Sequence, residues 1–285
     1  MGRTSWLVAV VLAGTVAGLG QAPVIDATRK VENGASFVQG QAVAPGSLVT
    51  IFGNNFVSAF AQFDTVPLST SLGGMSVTVN NIPAPVVNVV PKSFNPALVS
   101  DQASIQLPWG VLPAGAATGS ATVVVTTAAG ASAPVTIPLS SISPGLFQIF
   151  TDSTGVARPA AYNNSDISLP LPPGIQVPGY TSRPSKPGEV LVLWATGLGP
   201  VNNQPPDGQP GLGQAPFSAT MTTPTVLVGG VQANVVFAVL SPQYPSMYQI
   251  AITIPANAPV GNAVSLQIQM NGITTTDQNK IAISQ

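Results

Sequence analysis

The chain states one pattern twice. Pro45-Gly46-Ser47-Leu48-Val49-Thr50-Ile51-Phe52-Gly53 returns as Pro187-Gly188-Glu189-Val190-Leu191-Val192-Leu193-Trp194-Ala195. Val77-Thr78-Val79-Asn80-Asn81-Ile82-Pro83-Ala84 returns as Val226-Leu227-Val228-Gly229-Gly230-Val231-Gln232-Ala233, and Ile105-Gln106-Leu107-Pro108 as Ile252-Thr253-Ile254-Pro255. The segments keep their order and nearly their spacing. Stacked solenoid repeats recur every ~20–50 residues, so a period this long predicts tandem copies of a whole domain. With 285 residues and ~100–200 per domain, two copies fill the chain.

Each copy reads as β-structure. Ile105 and Leu107 alternate with Gln106, and Ile250, Ile252 and Ile254 alternate with Ala251 and Thr253, the period of a half-buried strand. Asn80-Asn81 in one copy and Gly229-Gly230 in the other fall where a two-residue hairpin needs positive φ, and both residue types tolerate it. Ala121 to Thr126 pairs with Val264 to Met270, and Val135-Thr136-Ile137 with Ile281-Ala282-Ile283 as the closing strands. No stretch beyond the N-terminal segment sustains a helical period. The expected fold is all-β, two tandem immunoglobulin-like β-sandwiches of roughly seven short strands each, over 28–142 and 143–285. Gly 28 and Pro 29 supply turns throughout, and apolar residues at 45% supply two cores.

Charge is scarce. Only 6% of residues are charged and the net charge is −1, against ~25% charged in an ordinary soluble protein. No basic footprint for nucleic acid exists. The surface must be built from Ser, Thr, Asn, Gln, Gly and Pro, which suits a molecule that lives in contact with a matrix. Arg3, the apolar run Trp6 to Val16 and the small residues Ala17, Gly18 and Gly20 read as a secretory signal peptide over 1–22. The competing reading, a membrane-anchoring helix, needs ~20 apolar residues and is interrupted by Gly14 and Gly18. With no Cys there is no lipid attachment and no disulfide framework, and each domain relies on core burial. The expected location is secreted, cell-surface or periplasmic, with no membrane span once the leader is removed.

Two Pro-rich stretches, 152–186 and 199–217, lack counterparts of matching length in the first copy. They are expected as extended loops, where binding function is often placed on a rigid sandwich.

Asn33-Gly34-Ala35-Ser36-Phe37, Ala44-Pro45-Gly46-Ser47-Leu48-Val49-Thr50-Ile51-Phe52-Gly53 and Val192-Leu193-Trp194-Ala195-Thr196-Gly197-Leu198-Gly199-Pro200 resemble a family of uncharacterised exported domains abundant in acidobacteria (Solibacter-type). Val77-Thr78-Val79, Pro83-Ala84-Pro85 and Leu107-Pro108-Trp109-Gly110 fit its usual run, and the likeness extends from about residue 28 to 285. The first block also resembles the opening strand of IPT/TIG-type immunoglobulin-like domains. In that family the module often ends large secreted proteins; here it is expected to be the whole mature chain. The resemblance implies an exported β-sandwich module and brings no catalytic residues.

The chemical inventory agrees. No His removes the usual general base and commonest metal ligand, and no Cys removes thiol chemistry. Neither a nucleophile elbow nor a phosphate loop is present. Ser185-Lys186 is the nearest dyad, but adjacent residues in an extended segment point opposite ways. Asp152 with Ser153-Thr154-Gly155, Asn163-Asn164 with Asp166, and Asp207-Gly208 offer oxygens for calcium, yet they fit no EF-hand spacing and are ordinary turn formers. No enzyme activity, metal or cofactor is expected. The chain reads as an adhesion or scaffold module acting through sheet faces, loops or an exposed edge strand. The alternative is carbohydrate binding through aromatics, which join apolar contact to hydrogen bonding. Trp109, Tyr180 and Tyr244 are the candidates. Trp194, matched by Phe52, is expected in the core. Partners would be extracellular polysaccharide or envelope and surface proteins.

Overall fold

The computed structural model describes residues 20–276 and 278–285. The leader expected over 1–22 therefore lies almost wholly outside the described residues, as does Asp277. In the first unit the strands that carry the repeat are β1 (Leu48–Asn54), β2 (Met75–Val79), β3 (Val86–Val90), β4 (Asp101–Gln106), β5 (Thr118–Thr127) and β6 (Val135–Ser140). Their counterparts in the second are β7 (Val190–Thr196), β8 (Thr225–Val228), β9 (Asn234–Leu240), β10 (Tyr248–Thr253), β11 (Gly261–Met270) and β12 (Lys280–Ile283). One sheet of the first unit runs β1-β4-β3, and the other pairs β5 with both β2 and β6, all antiparallel. The second unit repeats this as β7-β10-β9 and as β11 between β8 and β12. The chain is all-β, two tandem immunoglobulin-like sandwiches.

Period-two burial builds each core. Along β2 every second residue, Met75, Val77 and Val79, is buried, and along β11 Val264, Leu266, Ile268 and Met270 are. Each large aliphatic side chain so buried contributes about 1.5–3 kcal/mol. The cores are separate clusters: Ile25 to Leu139 supply one, and Ile142 to Ile283 the other. The expected tight turns form, with φ of 49° and 63° at Asn80 and Asn81 and of 58° and 82° at Gly229 and Gly230.

Both units also carry a bulge that the sequence does not announce. Val86 faces Ile105 but the next pair is Asn88 with Ser104, and Val235 faces Ile252 but the next pair is Phe237 with Ala251. One extra residue in β3 and in β9 bends the strand at the same point of each sandwich.

The segment 152–186 departs from the expected extended loop. Gln148–Thr151 pairs with Ala157–Pro159, Ala161–Asn163 pairs with β7, and Leu169–Pro170 runs parallel to Ser182–Arg183. The reason is a set of buried polar anchors. Arg158 meets Asp152 at 2.6 Å with both side chains almost fully buried, and its other nitrogen donates to the Asn262 carbonyl at 2.8 Å. Asn163 donates to Ser168 and accepts from Ser185, all three buried. Ser185, half of the sequence's nearest dyad, is thus spent on structure.

The units meet end to end. Leu48 N–H donates to the Thr196 hydroxyl at 2.8 Å, which donates to the Ser246 carbonyl at 2.7 Å. Asn33 donates to the Ser143 carbonyl at 2.9 Å, and Leu68 N–H to the Gly208 carbonyl at 2.9 Å. Trp109 N–H donates to Asp207 at 2.9 Å, and the Trp109 ring packs against the second core.

Candidate functional site

Register aligns the two units residue by residue, and one sheet face differs between them. In the first unit Glu32 faces Thr50, Thr50 faces Ser104, and Ser104 faces Asn88. The matching row of the second unit is Tyr162, Val192, Ala251 and Phe237. Residues directly opposite across a sheet share a face. These rows lie on the outer faces, because the core clusters take Val49, Ile51 and Ile105 in one unit and Leu191, Leu193, Ile250 and Ile252 in the other. Four polar positions have become four apolar ones on an identical scaffold.

The next row repeats the contrast by exposure. Phe52 faces Gln102, which faces Val90; Trp194 faces Gln249, which faces Val239. In the first unit Phe52 is closed off. The Arg29 guanidinium sits 3.5 Å above its ring while donating to Glu32 at 2.6 Å, and Phe37 meets its edge at 6.3 Å. In the second unit Trp194 is half-buried and Tyr244 stands edge-on to it, centroids 5.7 Å apart at 70°. Trp194 is therefore not the core residue expected from its match with Phe52. Both lie on outer faces, and conserving an aromatic at equivalent places here reflects the face, not the interior. Beside Trp194, Leu212, Phe217, Phe237, Val239, Pro242 and Gln249 line a cleft of about 200 Å³. Leu212 and Phe217 come from the 199–217 stretch, so this loop does contribute to the site. None of the residues in this face is charged. Burial raises the Tyr162 hydroxyl above its ordinary pKa, so the face stays neutral across the physiological range.

The sequence-derived candidates are dispersed. Trp109 is half-buried at the joint, its indole N–H enclosed without a protein acceptor, and it lines an apolar cleft of about 630 Å³ with Pro45, Leu112, Pro113, Pro200 and Met221. Tyr180 is 62% exposed on the turn 177–180 and makes no ring contact among the described residues. Tyr244 alone belongs to the aromatic face. Trp194, Tyr162, Phe217 and Phe237 were the residues missed.

The carboxylates considered for calcium are occupied by the chain itself. The Thr154 hydroxyl, Arg158 and the Val156 and Thr154 N–H groups hold Asp152 well below the usual carboxylate range. Arg183 and Ser168 bring Asp166 down to about 2. Arg183 and the Lys186 N–H lower Glu189, and the Arg29 and Thr28 N–H groups lower Asp26. Asp207 moves the other way, raised by burial and only partly offset by the Trp109 N–H. Among the described residues no three acidic groups converge as a metal cage would require.

These directions set a pH profile. A carboxyl lowered in the folded state contributes stability that is complete above its unfolded pKa of about 4 and is lost as pH falls through the folded value. For Asp166 that loss extends to about 2. Asp207 opposes it, since acid favours the protonated form that burial prefers. With no His to titrate, melting temperature is expected to be flat from about pH 6 to 8 and to fall below about pH 4. Thermal melts across pH 2–8 check this; a step between pH 6 and 8 would contradict it.

No protein-family model matches the chain, and no curated protein does. Among solved structures it is similar to a surface glycan-binding protein from Prevotella bryantii, with 11% identity, a TM-score of 0.22, and coverage of 89% of this chain and 41% of that one. It is similar to a titin tandem at 10% identity and TM-score 0.21, covering 92% and 66%. Domains 5–6 of the S-layer protein SbsC give 14% identity and TM-score 0.20, covering 92% and 99%. The chain thus spans about two fifths of the first and just under two thirds of the second. Likeness at these scores carries no functional inference.

Among the described residues no helix is long and apolar enough to cross a membrane.

Proposed function

We propose that the chain is an exported, non-catalytic contact module whose second unit binds a surface partner through the outer face of β7, β10 and β9. The observation that carries this is the replacement of Glu32, Thr50, Ser104 and Asn88 by Tyr162, Val192, Ala251 and Phe237 at equivalent positions. The first unit shows that the fold accepts a polar row there. Val192 and Ala251 are themselves covered within the chain, at 3% and 1% exposure, so the surface offered to a partner is the one around Phe237, Trp194 and Tyr244, and grouped exposed apolar side chains on a charge-poor protein mark a contact surface. The leader over 1–22 and the resemblance to exported acidobacterial modules supply the location in this proposal.

A second reading, carbohydrate binding, is favoured by one feature. Trp194 and Tyr244 form an open corner beside the Gln249 amide, uniting an apolar ring surface with a hydrogen-bonding side chain. Retention of the purified chain on envelopes of the producing cells, compared with an immobilised panel of neutral polysaccharides, separates the two. Envelope retention with no polysaccharide binding is expected for a protein partner, and polysaccharide binding for the sugar reading. Retention on neither would sink the proposal.

A further inference from the structure

The two units close the same sheet edge differently. In the first unit β3 is covered by a strand of its own chain. Ala61 faces Val89, Gln62 faces Asn88, and Phe63 N–H donates to the Val87 carbonyl at 2.9 Å. Val87 is the extra residue of the bulge, so the bulge does not prevent pairing at this edge. In the second unit the covering segment lies further along. Leu240 N–H donates to the Ser218 carbonyl at 2.8 Å, Ala219 faces Val239, and Thr220 N–H donates to the Ala238 carbonyl at 3.0 Å. Register equates Ala238 with Val89, so the cover begins where that of the first unit ends. Past Thr220 the segment leaves the edge, and Met221 N–H donates to the Pro200 carbonyl at 2.9 Å.

What stays open is the first half of β9. Register equates Val236 with Val87 and Phe237 with Asn88. Among the described residues no backbone donor takes the place of Phe63 at the Val236 carbonyl. Ala238 turns its N–H to the same side as its carbonyl, as a strand residue does, and Thr220 does not accept it. Val236 and Phe237 are 53% and 41% exposed, whereas Val87 and Asn88 are half-buried. Proteins commonly guard an open edge with Lys, Pro or another charge. Asn234–Leu240 holds none of these, and no residue from 208 to 276 is charged.

We propose that the partner of the second unit is a polypeptide, and that an uncharged extended segment of it adds as a strand to β9 at Val236–Ala238. This rests on the reading of the second unit as the contact surface and names the class of partner. The chain itself argues for the occupant, because the first unit fills the same edge of the same scaffold with an antiparallel strand. Chemistry argues for it too. Val236 offers an acceptor and Ala238 a donor along one side, and a second strand returns a donor and an acceptor in that phase. A charged segment would lose its water here with nothing to pair it. Alternate side chains of the added strand lie beside Phe237 and extend the aromatic face.

The capped peptide Ser58–Phe63 is the probe, since it carries the first unit's covering strand without a charge. Titrated into the isotopically labelled chain up to about millimolar concentration, it is expected to shift the amide signals of Val236 to Ala238 and to slow hydrogen exchange at Ala238. The same peptide methylated on the Phe63 nitrogen keeps every side chain but loses the donor, and should bind about tenfold more weakly or worse. Retention of the chain on envelopes of the producing cells should disappear when the envelopes are first digested with protease. No shift at β9, or equal binding of the methylated peptide, would overturn strand addition. Retention that survives digestion would overturn the polypeptide partner while leaving the contact face standing, whereas retention on no envelope would take the face reading down with it.

Discussion

Gly197→Ala is expected to unfold in two thermal transitions where the parent chain is expected to unfold in one, and to lose on the order of 3 kcal/mol of stability. Gly197 has φ of 74°, and a methyl there would be driven into the Ser143 carbonyl oxygen, with the Asn33 amide close behind. Neither can yield without loss, because Asn33 itself donates to that carbonyl at 2.9 Å. Strain and collision thus fall on the joint, beside the Leu48–Thr196 hydrogen bond that fixes the two units. Gly188→Ala is the control. Its φ is 84° but a methyl there meets open space, so only the left-handed backbone is penalised, about 1–2 kcal/mol, and the single transition should persist. Calorimetry of both variants decides; an unsplit, unshifted melt for Gly197→Ala would refute the joint as described.

Arg158→Ala should lower the melting temperature by on the order of 10 °C. Arg158 holds the Asp152 carboxylate through two nitrogens at 2.9 and 2.6 Å and the Asn262 carbonyl at 2.8 Å. Truncation leaves a buried carboxylate without its cation and a carbonyl at β11 without its donor, and breaking one side of a buried pair is far worse than never having had it. Arg183→Ala provides the comparison. Its partners Asp166 and Glu189 are partly exposed at 45% and 25%, so water takes its place and a drop of only about 1–3 °C is expected. Equal losses in the two variants would show that the 152–186 segment is not anchored through Arg158.

What could be seen in advance follows the physics of each feature. Duplication, the alternating strands and the paired Asn80-Asn81 and Gly229-Gly230 turns are local in sequence, and the structure carries them as expected. The outer-face contrast was hidden because it depends on register. Asn88 matches Phe237 only once the extra residue in β3 and β9 is known, and nothing in Val86-Val87-Asn88 or Val235-Val236-Phe237 signals a bulge. Trp194 departs from its expected place for a related reason: an aromatic shared by both copies suggests an interior position, whereas Phe52 is buried from outside by Arg29 and Phe37. The 152–186 segment looked loose because its prolines are visible and its long-range anchors, Arg158 to Asn262 and Asn163 to Ser185, are not. Trp109, a candidate for its aromatic ring alone, has Asp207 and the second core as neighbours, a joint that no single copy reveals.

The central claim is that the outer face of the second unit makes the contact. Its most direct test gives that face the row its sister unit already carries: Tyr162→Glu, Val192→Thr, Ala251→Ser and Phe237→Asn together, measured for retention on cell envelopes or on the polysaccharide that binds the wild type. The variant is expected to fold, as circular dichroism would show, and to lose more than about tenfold in affinity. A folded variant that binds as tightly as the wild type would contradict the account.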